Sequence, residues 1–408
     1  MSDAKVGRSP ALIFILITLV INSMGIGLIM PVMPDLLLEV TGKNDLAYVA
    51  VIGGFLTTSF AVMQFVFSPT LGNLSDRFGR RSVLLISLGV LCFDYLAMAL
   101  TGSLTVLFIA RIVAGMAAST YSTANAYIAD VSPPEKRAQN FGLTGAAFGV
   151  GFILGPALGG ILGEFGPRMP FFAAAALTFA NFLFGYFVLP ESLKEENRRP
   201  FDWKRANPLG VAAQIAKVPA VAWFLFAILL YDIAHFVYPA VWSYFAAEAW
   251  GWGPSDIGYS LAFVGIGFAI VQGYLIRKII PRFGEAKTAL MGLGLTMATL
   301  SLISIATEGY WFYAIAPFAA LSAIVAPAMQ GLMANRIADD AQGELQGAIA
   351  AMSSLAFIIS PFLMTSLFAA FSGDGAPFYF PGAPFLAAAI FSGLAIIPFL
   401  IGARRGKN

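Results

Sequence analysis

The stretch GNLSDRFGRRSVL, residues 72–84, gathers Asp76, Arg77, Arg80 and Arg81 within six positions, between two long apolar runs. Only 11% of the 408 residues are charged, so this concentration needs a cause. The cause lies in the solvent around the flanking runs. Hydrophobic residues make up 59% of the chain, with 37 phenylalanines, and the mean hydropathy is +0.80. Soluble domains carry about 25% charged residues. No soluble fold of this length hides so much apolar surface, so the solvent is a lipid bilayer. Residues 72–84 then read as a connection between two spans.

Twelve apolar stretches are long enough to cross ~30 Å of hydrocarbon at about 1.5 Å per residue. They run over 10–37, 47–74, 82–101, 104–128, 139–163, 168–189, 219–247, 256–281, 286–306, 309–335, 343–371 and 381–402. The longest interruption, 190–218, is charged and contains proline. It divides the chain into an N-terminal half (1–189), a central loop (190–218) and a C-terminal half (219–408). The expected fold is all-α: two six-helix bundles around a central cavity. The first apolar stretch lacks a small-residue cleavage site and is expected to remain as a span.

Basic residues set the orientation. Of the 24 Lys and Arg, only Lys43 and Arg168 fall in odd-numbered connections, and Arg111 lies inside a span. The other 21 sit in the N-terminus, the even connections and the C-terminus. This bias predicts an inner-membrane protein with both termini and the 72–84 loop in the cytoplasm. The halves also echo each other: DRFGRRSVLL after span 2 returns as PRFGEAKTAL after span 8, with Arg77 matching Arg282 and Gly79 matching Gly284. An internal 6+6 repeat with a site between the halves is a common plan for secondary transporters.

Within 72–84 each residue type has a use. Gly72 permits close helix approach and Gly79 permits a reversal. Asp76 can pair with a base, while Arg77, Arg80 and Arg81 hold the loop at an anionic membrane face. Span 5 adds GFILGPALGG, in which Gly151, Gly155 and Gly159 recur every fourth residue beside Gly160, and Pro156 removes one backbone hydrogen bond.

The 72–84 pattern resembles the signature loop of the major facilitator superfamily, and the span 5 pattern resembles the antiporter motif of its drug exporters. More narrowly, the chain is similar to the tetracycline/proton antiporters. MGIGLIMPVMPDLL in span 1, MQFVFSPTLGNLSDRFGRR in spans 2–3 and DYLAMAL in span 3 carry the likeness. FGLTGAAFGVGFILGPALGG in span 5 and PAMQGLMANRIADDAQGELQG in spans 10–11 extend it. The resemblance implies substrate or ion contacts at Gln64, Asp94, Arg111, Gln272 and Gln330. The chain departs from that family where it has Asn22 in place of a span 1 acid, Phe268 in place of a span 8 histidine, and no acid near Met297.

Charge inside a membrane costs ~2.5–3.5 kcal/mol per residue on insertion scales, so each such residue is a candidate. Asp94 and Arg111 each lie about eight residues from the turn at 102–103, so both sit ~12 Å from one surface. They can form a structural pair, or one that responds to protonation. Asp232 and His235 are three apart, share a helix face and form a candidate coupled proton site, with Pro239 as a hinge. The alternative is a buried polar pair satisfied by neighbouring side chains. Asn22, Gln64, Asn125, Gln272 and Gln330 can contact a polar drug or simply bridge helices.

Other classes are excluded. There is no phosphate-binding GxxxxGK[ST] loop, and the glycine-rich strings lie in spans with no preceding strand. One histidine and one cysteine, Cys92, make neither a dedicated metal site nor a disulfide framework. The reading is therefore a non-enzymatic, proton-driven exporter of an amphipathic drug-like molecule. It needs no cofactor beyond the proton gradient, binds no nucleic acid and works as a monomer in the bilayer. An importing metabolite symporter and a non-transporting membrane assembly or sensor protein are the alternatives.

Overall fold

The computed structural model describes residues 10–202, 221–338 and 341–405; part of the central loop and both extreme termini lie outside the described residues. All twelve expected spans are helices: α1 Ala11–Thr41, α2 Leu46–Phe78, α3 Arg80–Leu100, α4 Leu104–Val131, α5 Asn140–Gly163, α6 Met169–Val188, α7 Ala222–Trp250, α8 Pro254–Phe283, α9 Glu285–Ser304, α10 Tyr310–Ala334, α11 Gln342–Ser372 and α12 Ala383–Arg404. No strand occurs among the described residues.

Two six-helix bundles form. In the first, α5 lies along α1, α3 along α6, and α2 along α4; in the second, α12 lies along α7 and α9, and α11 along α7. The bundles meet chiefly through two antiparallel helix pairs, α5 with α8 and α2 with α11. Each bundle has its own apolar core. One is built on Phe14, Leu84 and Tyr127, the other on Phe224, Leu293 and Met333. A third core, around Trp242, Leu36 and Phe368, joins the bundles. It lies at the ends of the helices remote from the 72–84 loop. We call that end the far face and the end carrying 72–84 the loop face.

The internal repeat is visible in the backbone. Gly79 (φ 98°, ψ 155°) and Gly284 (φ 76°, ψ 160°) adopt nearly the same positive-φ conformation between α2 and α3 and between α8 and α9. That conformation strains any residue with a Cβ, which is why glycine persists where the neighbouring charges have diverged. Helix α7 is interrupted at Phe236, between runs 222–235 and 237–250. Pro239 has no N–H for the carbonyl of His235 and its ring crowds that carbonyl, which breaks the ladder at this point.

A candidate central site and its closure

A cavity of about 270 Å³ lies between the bundles. Asn22 and Met30 of α1, Thr57, Phe60 and Gln64 of α2, Arg111 and Tyr121 of α4, and Ser243 and Tyr244 of α7 are among the residues that line it. A second space of about 540 Å³ adjoins it toward the loop face, sharing Gln64, Ala118, Tyr121 and Phe357. Together they make a largely apolar funnel between α2, α4, α7 and α11, with a few polar side chains set along it.

The expected contact between Asp94 and Arg111 forms. Arg111 Nε donates to Asp94 Oδ1 at 3.0 Å, and Arg111 Nη2 pairs with Asp94 Oδ2. Asp94 is 3% exposed and Arg111 9%, and the guanidinium also lies over the Phe60 ring, 5.3 Å from its centroid. Arg111 lines the cavity and Asp94 stands behind it. The pair therefore turns its positive end inward.

The expected coupling of Asp232 to His235 is replaced by a different arrangement. Asp232 turns to α11, where Ser353 Oγ donates to its Oδ2 at 2.5 Å. His235 turns to α8, its ring 5.9 Å from Phe268 and stacked at 5.7 Å on Tyr231, with Tyr238 edge-on at 6.1 Å. No hydrogen bond or ion pair among the described residues joins the two. Residues three apart share a helix face, but each here finds a better neighbour on a different helix. Ser353 in turn lines the loop-face vestibule, so the carboxylate sits one side chain away from it.

The amides divide. Asn22 and Gln64 line the cavity, and Gln64 Nε2 lies 3.5 Å from the Ala118 carbonyl. Asn125 is half-buried with an Oδ1 that has no hydrogen-bond partner, and it lies outside the cavity wall. Gln272 is exposed, in a turn of α8 wound with wider π-type bonding over Val271–Leu275. Gln330, on α10, does not reach the cavity either.

The far face is closed. Gly160 packs on Pro254, Ser255 and Gly258, and Gly258 packs on Pro156. Gly53 abuts the Tyr244 hydroxyl and Gly54 abuts Thr365 and the Pro361 carbonyl. Ser243 Oγ donates to the Met30 carbonyl at 2.7 Å. The span 5 repeat thus has two faces: Gly151, Gly155 and Gly159 seat α5 on the α1 backbone at Val20, Met24 and Leu28, while Pro156 and Gly160 seat it on α8. Toward the loop face the same pairs part. Beyond Ile153, which touches Gly265, a side chain at Gly145, Gly149 or Gly273 would meet nothing; beyond Thr58, bonded to the Ile358 carbonyl at 3.3 Å, the vestibule opens. Gly72 also faces open space, so the close approach expected there is absent in this conformation.

The 72–84 loop is pinned to its own bundle and to the start of the central loop, where Arg199 N–H donates to the Asp76 carbonyl at 3.1 Å. Arg80 pairs with Asp76 at 2.6 Å and with Asp130 of α4 at 3.3 Å. Glu191, just past α6, accepts from the backbone N–H groups of Arg80 (2.8 Å) and Arg81 (3.2 Å). It thereby satisfies two orphan donors at the start of α3. Arg81 donates to the Tyr186 carbonyl at 2.6 Å, and Arg77 lies over Phe78.

Residues 15–282 match the model of the family described as Major Facilitator Superfamily. The chain belongs to that superfamily. Among curated relatives of this facilitator, the class C tetracycline resistance protein of Escherichia coli is 39% identical over 360 residues, covering 88% of this chain and 90% of that one. Multidrug resistance protein 2 of Bacillus subtilis is 29% identical over 365 residues, covering 87% and 88%. Among solved structures, the human organic anion transporter MFSD10 superposes with a TM-score of 0.68 at 22% identity, covering 97% of this chain and all of that one. That last likeness speaks to the fold alone. In this facilitator, sequence reasoning missed Glu191, Asp130, Ser353 and the cavity tyrosines. Glu191 and Asp130 carried a signal, each being an acid at the loop-face end of a span opposite the basic cluster.

Proposed function

We propose that this facilitator, a multi-pass protein of the bacterial inner membrane, exports a tetracycline-like or similarly amphipathic drug in exchange for protons. It is a transporter and not an enzyme. The carrying observation is the funnel itself: closed at the far face by α5–α8 and α2–α11, open toward the loop face, and flanked by a membrane-embedded carboxylate. The basic bias places the loop face in the cytoplasm, so the structure corresponds to a drug-loading conformation. Residues 1–189 and 219–408 are the two rocking bodies, joined through 190–218.

Asp232 is the proton carrier in this reading. As a carboxylate it accepts from Ser353 and ties α7 to α11; once protonated it loses that charge-assisted bond and loosens the α7–α11 contact beside the vestibule. Arg111 and Asp94 fix α3 to α4 and shape the pocket floor, with Asn22, Gln64 and the cavity hydroxyls contacting the drug. Gln272, Gln330 and Asn125 contact substrate only in other conformations, and His235 holds α7 against α8. The loop at 72–84 latches the bundles in the opposite state, when Gly72 receives α11. The protein acts as a monomer and draws its energy from the proton gradient without a cofactor.

The test is expression in a bacterium lacking its own drug pumps. Raised tolerance to tetracycline, abolished by a protonophore, supports export; unchanged tolerance with uptake of a labelled nutrient supports import.

A further inference from the structure

We infer that the loop-face end of α8 is a binding site for an anionic phospholipid, whose phosphate is held by Arg277, Lys278 and Arg282 beside Tyr274. The site is independent of the exchange cycle proposed above.

These residues share one side of α8. Tyr274, Lys278 and Arg282 recur every fourth residue, and Arg277 lies three after Tyr274. All four are exposed. Toward the middle of the bilayer the exposed row continues through Ile270, Ile266 and Phe263. The other sides of α8 are occupied. Phe268, Val271, Leu275 and Ile279 pack with Ala323 and Ile324 of α10, while Gly258 and Gly265 meet α5. The exposed row therefore looks into lipid, and it ends in bases.

Lys278 Nζ donates to the Tyr274 hydroxyl at 2.5 Å and lies 4.3 Å from the centre of its ring. The ammonium is thus oriented, with two N–H donors left for a guest. Arg282 lies over Phe283 at 5.8 Å. None of the three bases forms an ion pair among the described residues. Residues 257–284 contain no Asp or Glu, and the next acid, Glu285, accepts instead from Asn335 at 3.0 Å.

The first half of the internal repeat is different. There Arg80 is paired with Asp76 and Asp130. The alignment that sets Arg282 against Arg77 sets Arg277 and Lys278 against the uncharged Gly72 and Asn73. The second half has gained bases without gaining acids. A guest that brings one phosphate and long acyl chains supplies what is missing. Its phosphate takes the Arg277 fork and the Lys278 donors, and its chains lie along Ile270, Ile266 and Phe263.

The experiment follows thermal unfolding of the full chain in mild detergent as lipid is added. Phosphatidylglycerol is compared with phosphatidylcholine of the same acyl chains and with inorganic phosphate, which has the anion but no chains. Phosphatidylglycerol is expected to raise the melting temperature well above the effect of the other two. The concentration giving half of that rise should increase about fivefold in R277Q and again in the double variant with K278Q. Y274F keeps every charge but frees the ammonium, and should weaken binding about two- to threefold. R404Q, on α12, should bind as the unmodified chain does. Equal effects of phosphatidylcholine or of phosphate alone overturn the inference, as does no rise with phosphatidylglycerol. So does unaltered binding in the double variant or in Y274F, or an R404Q loss equal to that of R277Q, which would mark attraction spread over the whole loop face.

Discussion

Ser353 Oγ on α11 donates a 2.5 Å hydrogen bond to Asp232 Oδ2 on α7, at the edge of a vestibule that runs to the loop face. Both residues lie in helices, so the bond ties two rigid elements, and one of these, α11, is also the partner of α2 across the bundles. In the proposed exchange cycle, a proton on Asp232 is felt through this bond at the α2–α11 crossing.

D232N keeps the shape of the side chain but removes its charge. Drug accumulation driven by a pH gradient in everted vesicles is expected to vanish, while drug–drug counterflow without a gradient persists. S353A is expected to retain driven transport at a reduced rate with a shifted pH profile. Undiminished gradient-driven accumulation in D232N would remove Asp232 from the coupling role.

The Asp94–Arg111 pair is enclosed, so loss of one partner leaves the other uncompensated. D94N is expected to lower stability by about 3–5 kcal/mol, and the double variant with R111Q to recover most of it. Thermal unfolding in detergent reads this. Equal losses in the single and double variants would mean that the pair is not coupled.

Gly160 holds α5 against Pro254, Ser255 and Gly258, and the Ser255 N–H reaches Glu164 Oε1 at 3.3 Å. Because Cys92 is the only cysteine, C92S gives a background for cross-linking cysteines introduced at Glu164 and Ser255. That pair should cross-link readily when the far face is closed. G160V, which forces the helices apart at a cost of about 1–3 kcal/mol, is expected to suppress the cross-link. Persistent cross-linking would show that this contact does not seal the far face.

Glu191 accepts two charge-assisted bonds from the backbone N–H groups at the start of α3. E191A is expected to cost about 1.5–3 kcal/mol for each bond to the charged group that is lost and to slow transport, with the protein still in the membrane. E191D, one methylene shorter, should recover only part. Transport and melting temperature are both read, and no change in either would make the contact incidental.

The twelve spans and the split into two bundles were legible because lipid demands long, uninterrupted apolar helices, and their length alone reveals them. The repeat at Gly79 and Gly284 was legible for a related reason, since only glycine tolerates that backbone. Asp94 and Arg111 could be paired by counting residues from one tight turn. The partners of Asp232 and His235 could not, because Ser353 and Phe268 come from distant helices whose rotation no local pattern fixes. The widened turn at Val271–Leu275, which holds Gln272, was not legible either, because helical periodicity assumes constant phase.

The most direct measurement is of lumenal pH in proteoliposomes loaded with a pH-sensitive dye and holding no initial gradient. Tetracycline is added outside. The lumen is expected to turn alkaline as drug enters and protons leave, and the signal should disappear in D232N. Drug entry with no pH change, or with acidification, would contradict proton exchange.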